Sequence, residues 1–366
     1  KRCSARKPRF IALRIVPMLH LLLLAAALPF QNDSARGLEL FRLDSGVYAA
    51  IRKDPLSLAV NSNSLIVVRD SDVVVVDAQF TRRATQETIA AIRKITPKPV
   101  AYMINTHWHD DHVAGDQVYR DSFPDVRFVM QENTASDLVN LGAPNRKQQV
   151  EGAPPVADRF ERLLSMGLGL DSTPVTPTER SALESAIRIV RQYVAEAPGF
   201  SSVAATDTVH QRMTLGSGRN RIELCWFGQA NTRGDLVVYL PSRGIVASGD
   251  LVGAPVPFGF GSHPASWAKV LDSLIALQPR VIVPGHGPVL RDLGYVRSVR
   301  EWLARINGET LAARARGDSL SAVLKQVTLD DVRMSITRDE KWMNFLFRSF
   351  FVRPAVQAVY EEVVGT

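Results

Sequence analysis

THWHDDHVAGD, residues 106–116, packs three histidines and three aspartates into eleven positions directly after the apolar run Val100 to Ile104. Alternate residues of an extended chain project to the same side, so His107 and His109 can address one metal ion. Asp111 and His112 turn onto the following segment and can address a second. The competing reading is a solvated polar loop. Three imidazoles delivered together by a buried strand favour the metal site.

The sequence on either side of this stretch alternates strands with a helix. GVYAAIR, SLIVVRD and DVVVVDA read as short strands, the last two joined as a hairpin through Asp70, Ser71 and Asp72. Residues 81–95 carry Ala84, Thr88, Ile89, Ile92 and Ile95 at helical spacing, and Pro97 stops the helix. The strand VAYMI then delivers the histidines, an order that is α/β in character. From about residue 132 to 200 the style changes to helices separated by Pro and Gly, with Thr176 or Thr178 placed to cap the last of them. This is an expected helical insertion. Strands resume at RIELCWFG, DLVVYLP, GIVASGD and RVIVPGHG, and residues 295–366 form a helical extension whose WMNFLFRSFF stripe suits a core or a dimer contact.

Composition bounds the remaining possibilities. The chain has 366 residues, 46% hydrophobic and 22% charged, a globular balance. Residues 1–27 read as a cleavable secretory signal: six Lys or Arg, no Asp or Glu, the apolar run Leu21 to Leu28, and small residues at Ala25 to Ala27. An uncleaved anchor is the alternative. Removing that segment takes the formal charge from +7 to about +1, and no later basic stripe interleaved with aromatics points to nucleic acid. The expected location is secreted or periplasmic, with no stable membrane span once the signal is cleaved. Cys3 lies in the signal, and Cys225 in IELCWF is expected as a core strand residue, so no internal disulfide is available. His210 reads as a plain strand or loop residue.

HWHDDH resembles the HxHxDH signature of the metallo-β-lactamase superfamily, and GQANTRGDLVVYLP, IVASGDLV and VPGHGPV follow in that family's order. The resemblance covers residues 38–294 apart from the insertion. It implies a four-layer αββα sandwich with metal ions at one edge. Carried over residue by residue, it implies a first zinc on His107 and His109, a second on Asp111, His112 and His286, and Asp250 bridging them. Asp111 would also orient the attacking water or pass its proton to the leaving group. Asp77 and Asp110 are read as supports for ligands or loop, since ligating imidazoles need acceptors for their second N–H.

One position departs from the family pattern. The first site's third histidine, normally in a GHTxGD segment, is replaced by Asn231 in ANTRGD. A neutral amide oxygen is a weaker zinc ligand than imidazole. The expectation is therefore one or two zinc ions per chain with the second site the more secure, and three readings stay open: a weakened dinuclear site, an enzyme working with one ion, or a lost or engineered-away activity. His263, in the Gly-rich FGFGSHPASW, is a candidate substrate contact or substitute ligand.

The function this implies is an exported zinc-dependent hydrolase that attacks the carbonyl of a small cyclic amide or ester with a water acidified at the metal, β-lactamase-like activity being the first expectation. Alternatives are a lactone, ester or thioester hydrolase of glyoxalase type, with iron or manganese in place of zinc, and a metal-binding scaffold with weak or lost turnover. The partner expected is a small molecule, with homo-oligomerisation through the helical tail as a further option.

Overall fold

Val73 to Val76 show how the layers arise. Val74 and Val76 join the core between two sheets, while Val73 and Val75 join a second core beneath an outer helical layer. That is the period-two pattern of a strand buried on both faces. The computed structural model describes residues 37–52 and 61–362, so the signal read at residues 1–27 lies outside the described residues.

The first sheet has seven strands in sequential order: β1 (Leu38–Asp44), β2 (Val47–Arg52), β3 (Ser64–Val68), β4 (Val73–Val76), β5 (Val100–Ile104), β6 (Arg127–Gln131) and β7 (Asp207–Val209). The first four pair antiparallel, including the expected β3–β4 hairpin, and β4 to β7 pair parallel. The second sheet has β8 (Arg212–Leu215), β9 (Ile222–Trp226), β10 (Leu236–Leu240), β11 (Ile245–Gly253) and β12 (Val281–His286), also in sequential order, with β11 and β12 parallel and the other pairs antiparallel.

Helices cover both outer faces. α1 (Arg82–Ile95) starts where Thr81 accepts a hydrogen bond from Ala84 N, and buries Ile89 and Ile92 against the first sheet. Two short helices follow β5, α2 (Asp110–Val113) and α3 (Asp116–Ser122). The insertion between β6 and β7 holds α4 (Glu132–Asp137), α5 (Ala143–Ser165) and α6 (Pro177–Glu196), the last capped by Thr176. Beyond the second sheet lie α7 (Pro264–Ala276), α8 (Gly294–Ala315), α9 (Leu320–Gln326), α10 (Asp330–Thr337), α11 (Lys341–Leu346) and α12 (Arg353–Glu362). Trp267 of α7 is fully buried there and donates its indole N–H to Leu251 O at 3.1 Å. Cys225 is buried in the same layer, a core strand residue as expected.

The insertion departs from expectation in detail. Two of the prolines do not separate helices, since α5 runs straight through Pro154 and Pro155, whereas Pro174 and Pro177 fall where α5 gives way to α6. The N–H groups missing at Pro154 and Pro155 leave the carbonyls of Val150 and Glu151, one turn earlier, without helical partners; Val150 is half-buried and Glu151 exposed, so solvent reaches this turn. The helix instead ends at Ser165, ahead of Gly167, whose φ of +72° lies in the left-handed region.

Each sheet thus contains a parallel pair, β4–β5 and β11–β12, and their carboxyl ends meet at one edge of the sandwich. Two cross-sheet bonds hold the edge together, Leu236 N to Thr106 O at 2.8 Å and Asn63 N to Gly285 O at 2.7 Å. The histidine-rich stretch, Asp250 and His286 all fall there.

Candidate metal centre

The strand end of β5 brings His107 and His109 close, with Nε2 of the first 3.0 Å from Nδ1 of the second. Asp250, from the second sheet, lies between two clusters. Its Oδ2 is 3.7 Å from His107 Nε2, and its Oδ1 is 3.3 Å from Nε2 of both His112 and His286. Asp111 Oδ2 stands 3.3 Å from His112 Nε2 and 3.0 Å from His286 Nε2. The potential ligand atoms of His107, His109 and Asp250 lie within 4.8 Å of one another, and so do those of Asp111, His112 and His286. Residues 107 and 286, 179 positions apart in sequence, thereby share one small volume.

The outer ring nitrogens have fixed partners. His112 Nδ1 is 2.9 Å from Asp77 Oδ2, His107 Nδ1 is 3.0 Å from Thr106 Oγ1, and His286 Nδ1 is 3.1 Å from the backbone carbonyl of Asn61. Each contact leaves Nε2 as the inward-facing atom. Asp77 reaches His112 from a backbone with φ of +63° while its Oδ1 accepts from Thr106 N at 2.8 Å. A non-glycine residue held in the left-handed region is a local cost retained for a position that ordinary strand geometry does not provide. Inside the cluster, His112 Nε2 and Asp250 Oδ1 are buried without a hydrogen bond. Imidazole nitrogens and carboxylate oxygens left in this state form a donor set that fits zinc.

The two clusters differ in charge. Burial lowers the pKa of His107 well below its ordinary value, helped by His112 and His109, and burial also lowers His109. Burial pulls His112 and His286 the same way, but nearby carboxylates overcome it. Asp111, Asp77 and Asp250 raise His112 well above its usual value, and Asp250 and Asp111 push His286 up to about 10. The acidic partners behave reciprocally: burial raises Asp111 and Asp250, yet the imidazoles hold both below the usual carboxylate range.

Two supporting residues, Asn63 and Asn105, carry no sequence signal of their own, and Asp110, read as a support, finds partners that the sequence does not point to. Asn63 Nδ2 donates to Pro284 O and Gly287 O, both at 2.9 Å, and so pins the turn that carries His286. Asn105 Nδ2 bridges His112 O and Asp116 Oδ1. Asp110 does not face the clusters. It takes a bidentate pair from Arg146 at 2.9 and 2.7 Å and a hydroxyl from Tyr193 at 2.5 Å, which ties the histidine loop to α5 and α6. Only the fold brings these partners together, because they lie 36 and 83 residues from Asp110.

Beside the clusters opens a pocket of about 780 Å³. Asn231 lines it, fully buried. Its amide nitrogen donates to Phe258 O at 2.6 Å, and its oxygen is left without a partner. His263 lines the pocket too, with Nδ1 2.7 Å from Glu362 Oε1. His210 is exposed and pairs with Glu132, away from the clusters. The aromatic stripe divides: Trp342, Leu346, Phe347 and Phe351 enter the core, while Phe350 lines the pocket.

A family model described as the metallo-beta-lactamase superfamily matches residues 58–204. Over that segment the chain is similar to the metallo-β-lactamase superfamily. Its two sheets and flanking helices form the αββα sandwich of the metallo-β-lactamase fold, with a helical C-terminal region. Among curated proteins, the linear primary-alkylsulfatase of a Pseudomonas strain is 21% identical over 259 residues, 65% of this chain and 44% of the relative, so the chain spans less than half of that relative's length. Among solved structures, a metallo-beta-lactamase from Pontibacter korlensis matches 73% of this chain and 99% of its own at 20% identity and a TM-score of 0.52. The stereoselective inverting sec-alkylsulfatase Pisa1 from Pseudomonas sp. matches 90% of this chain and 50% of its own at 15% identity and a TM-score of 0.62. At these identities the likeness concerns the superfamily fold.

Proposed function

We propose that this chain is a zinc-dependent hydrolase of small molecules, cleaving a carboxyl-derived bond in a lactam, lactone or ester. The observation that carries this reading is the pair of three-residue clusters joined at Asp250, with Nε2 of His107, His112 and His286 facing inward and their outer nitrogens held. His107, His109 and Asp250 would hold one ion, with Asn231 oxygen completing the set. Asp111, His112, His286 and the other Asp250 oxygen would hold the second. Bound there, zinc supplies a Lewis acid and lowers the pKa of water toward neutrality.

The chain's own groups do the rest. Asp111 lines the pocket and is held ionised by the two imidazoles beside it. Its carboxylate would orient the attacking water and pass the water's proton to the leaving group. Asp77 and Asn63 keep His112 and His286 in register through bonds that survive the reaction unchanged. Phe258 and Trp108 flank His109, with rings 5.6 and 4.7 Å from it, and exclude water from that side.

Hydrolysis of a chromogenic cephalosporin, a homoserine lactone and a p-nitrophenyl ester in excess zinc, with and without chelator, tests the proposal. Turnover of any of these that a chelator abolishes, zinc restores and His112→Ala removes is the expected result. A folded, zinc-loaded chain inert toward all three would overturn the hydrolase reading and leave a metal-binding scaffold.

A further inference from the structure

One side of the pocket is built from three phenylalanine rings, of which Phe260 and Phe350 have no part in the bond-breaking described above. Phe258 stands next to His109, Phe260 is 5.1 Å from Phe258, and Phe350 is 6.1 and 5.9 Å from these two. Phe260 is 48% exposed although it packs on both neighbours, so one of its faces is open to the pocket. The wall is fixed in place. Gly259 N donates to Phe350 O at 2.7 Å, and a Cβ at Gly259 would stand 2.6 Å from Phe351 O, so the loop backbone rests directly on that of the C-terminal region. Leu141, from the insertion, is 46% exposed and lines the same pocket.

The charges around the pocket are committed. Among the described residues that line it, Arg233 is the single arginine or lysine, and its guanidinium is held by Asp137 through Nε at 3.2 Å and through Nη2. His263 is paired with Glu362, and Asp111 and Asp250 add negative charge. A substrate bearing a carboxylate or sulfate away from the reacting bond finds no uncommitted Lys or Arg among the described lining residues, and burying such a group unpaired is strongly disfavoured.

We infer that the site takes neutral carboxylic esters whose apolar acyl chain lies against Phe258, Phe260 and Phe350, a reading that rests on the hydrolase proposed above. In the reaction the acyl carbon–alkoxy oxygen bond breaks, a carbon–oxygen bond from water forms, and the water's proton ends on the departing alcohol. The products are a carboxylic acid and an alcohol, with no other co-reactant.

The experiment compares p-nitrophenyl acetate, butanoate, hexanoate and octanoate with octyl sulfate and a cephalosporin, using the zinc-loaded chain and a chelator control. Each methylene buried on the wall is worth about fourfold in kcat/KM at most, so a rise of at least about tenfold from acetate to octanoate is expected. Phe260→Ala should lower the octanoate-to-acetate ratio about threefold or more, chiefly through KM, and Phe350→Ala should do the same. Melting temperature and zinc content monitor folding, and the exposed Phe260 provides the test if Phe350→Ala fails to fold. A flat chain-length profile, an unchanged ratio in Phe260→Ala, or faster cleavage of octyl sulfate or cephalosporin than of octanoate would overturn the ester assignment while leaving the hydrolase standing. Absence of chelator-sensitive turnover on every substrate would remove both.

Discussion

A Cβ added at Gly285 would lie 2.0 Å from Asp250 Oδ1. The glycine in VPGHG is therefore the space into which the shared carboxylate fits, and the parallel pairing of β11 with β12 holds the two strands at that separation. Gly285→Ala should push the Asp250 carboxylate away from His112 and His286. Displacing a carboxylate that orients or binds a metal costs roughly tenfold to a hundredfold in affinity. Zinc retained after gel filtration, measured by elemental analysis, should fall accordingly, and full retention would refute the role given to Asp250.

Asp77 holds His112 Nδ1 at 2.9 Å and the Thr106 amide at 2.8 Å. Asp77→Ala should release both, lowering zinc affinity by roughly one to two orders of magnitude. Competition with a fluorescent chelator reads this directly. An affinity within twofold of the parent would show that the imidazole is oriented without its carboxylate.

Zinc binding should release protons, and the sign follows from the pKa directions. Carboxylates raise His112 and bring His286 to about 10, so both imidazoles carry a proton near pH 7 in the metal-free chain, whereas burial keeps His107 and His109 neutral. A zinc ligand must be the neutral imidazole. Affinity should therefore fall as pH drops below 10, by about one decade per pH unit for each proton displaced. Calorimetry in buffers of different ionisation enthalpy counts those protons, and a count of zero near pH 7 would contradict the charge state described for His286.

Asn231 presents an unpartnered amide oxygen while its nitrogen is fixed by Phe258 O. Asn231→His replaces a weak oxygen donor with an imidazole. Zinc content should rise toward two ions per chain, and an unchanged stoichiometry would count against placing residue 231 in the first site.

Arg146 and Asp110 form a buried bidentate pair, with side chains 9% and 2% exposed. Arg146→Ala leaves the carboxylate buried with only Tyr193 as a partner, at a cost of roughly 3–5 kcal/mol. Urea unfolding should show a loss of that order, together with faster proteolysis within α5. A change under 1 kcal/mol would mean that the insertion is held mainly by its apolar contacts.

The sequence by itself determined the α/β character and the histidine-rich strand end, because these are written in local periodicity, while the four-layer sandwich was implied by the family resemblance. The β-branched run Val73 to Val76 marks a strand, Thr81 and Pro97 bound a helix, and His107, His109 and His112 sit within six positions. The same locality explains the error in α5, where proline chemistry implied a break that solvent exposure of the preceding turn makes unnecessary. Only the tertiary structure decided which groups complete the site: that Asp250 stands between two clusters, that Asn63 pins the His286 turn, that Asp110 turns away to Arg146 and Tyr193, and that Phe350 leaves its own stripe to wall the pocket. These partners are tens to hundreds of residues apart. They meet because two separately encoded sheets bring the carboxyl ends of their parallel strands to one edge, and no local pattern records that meeting.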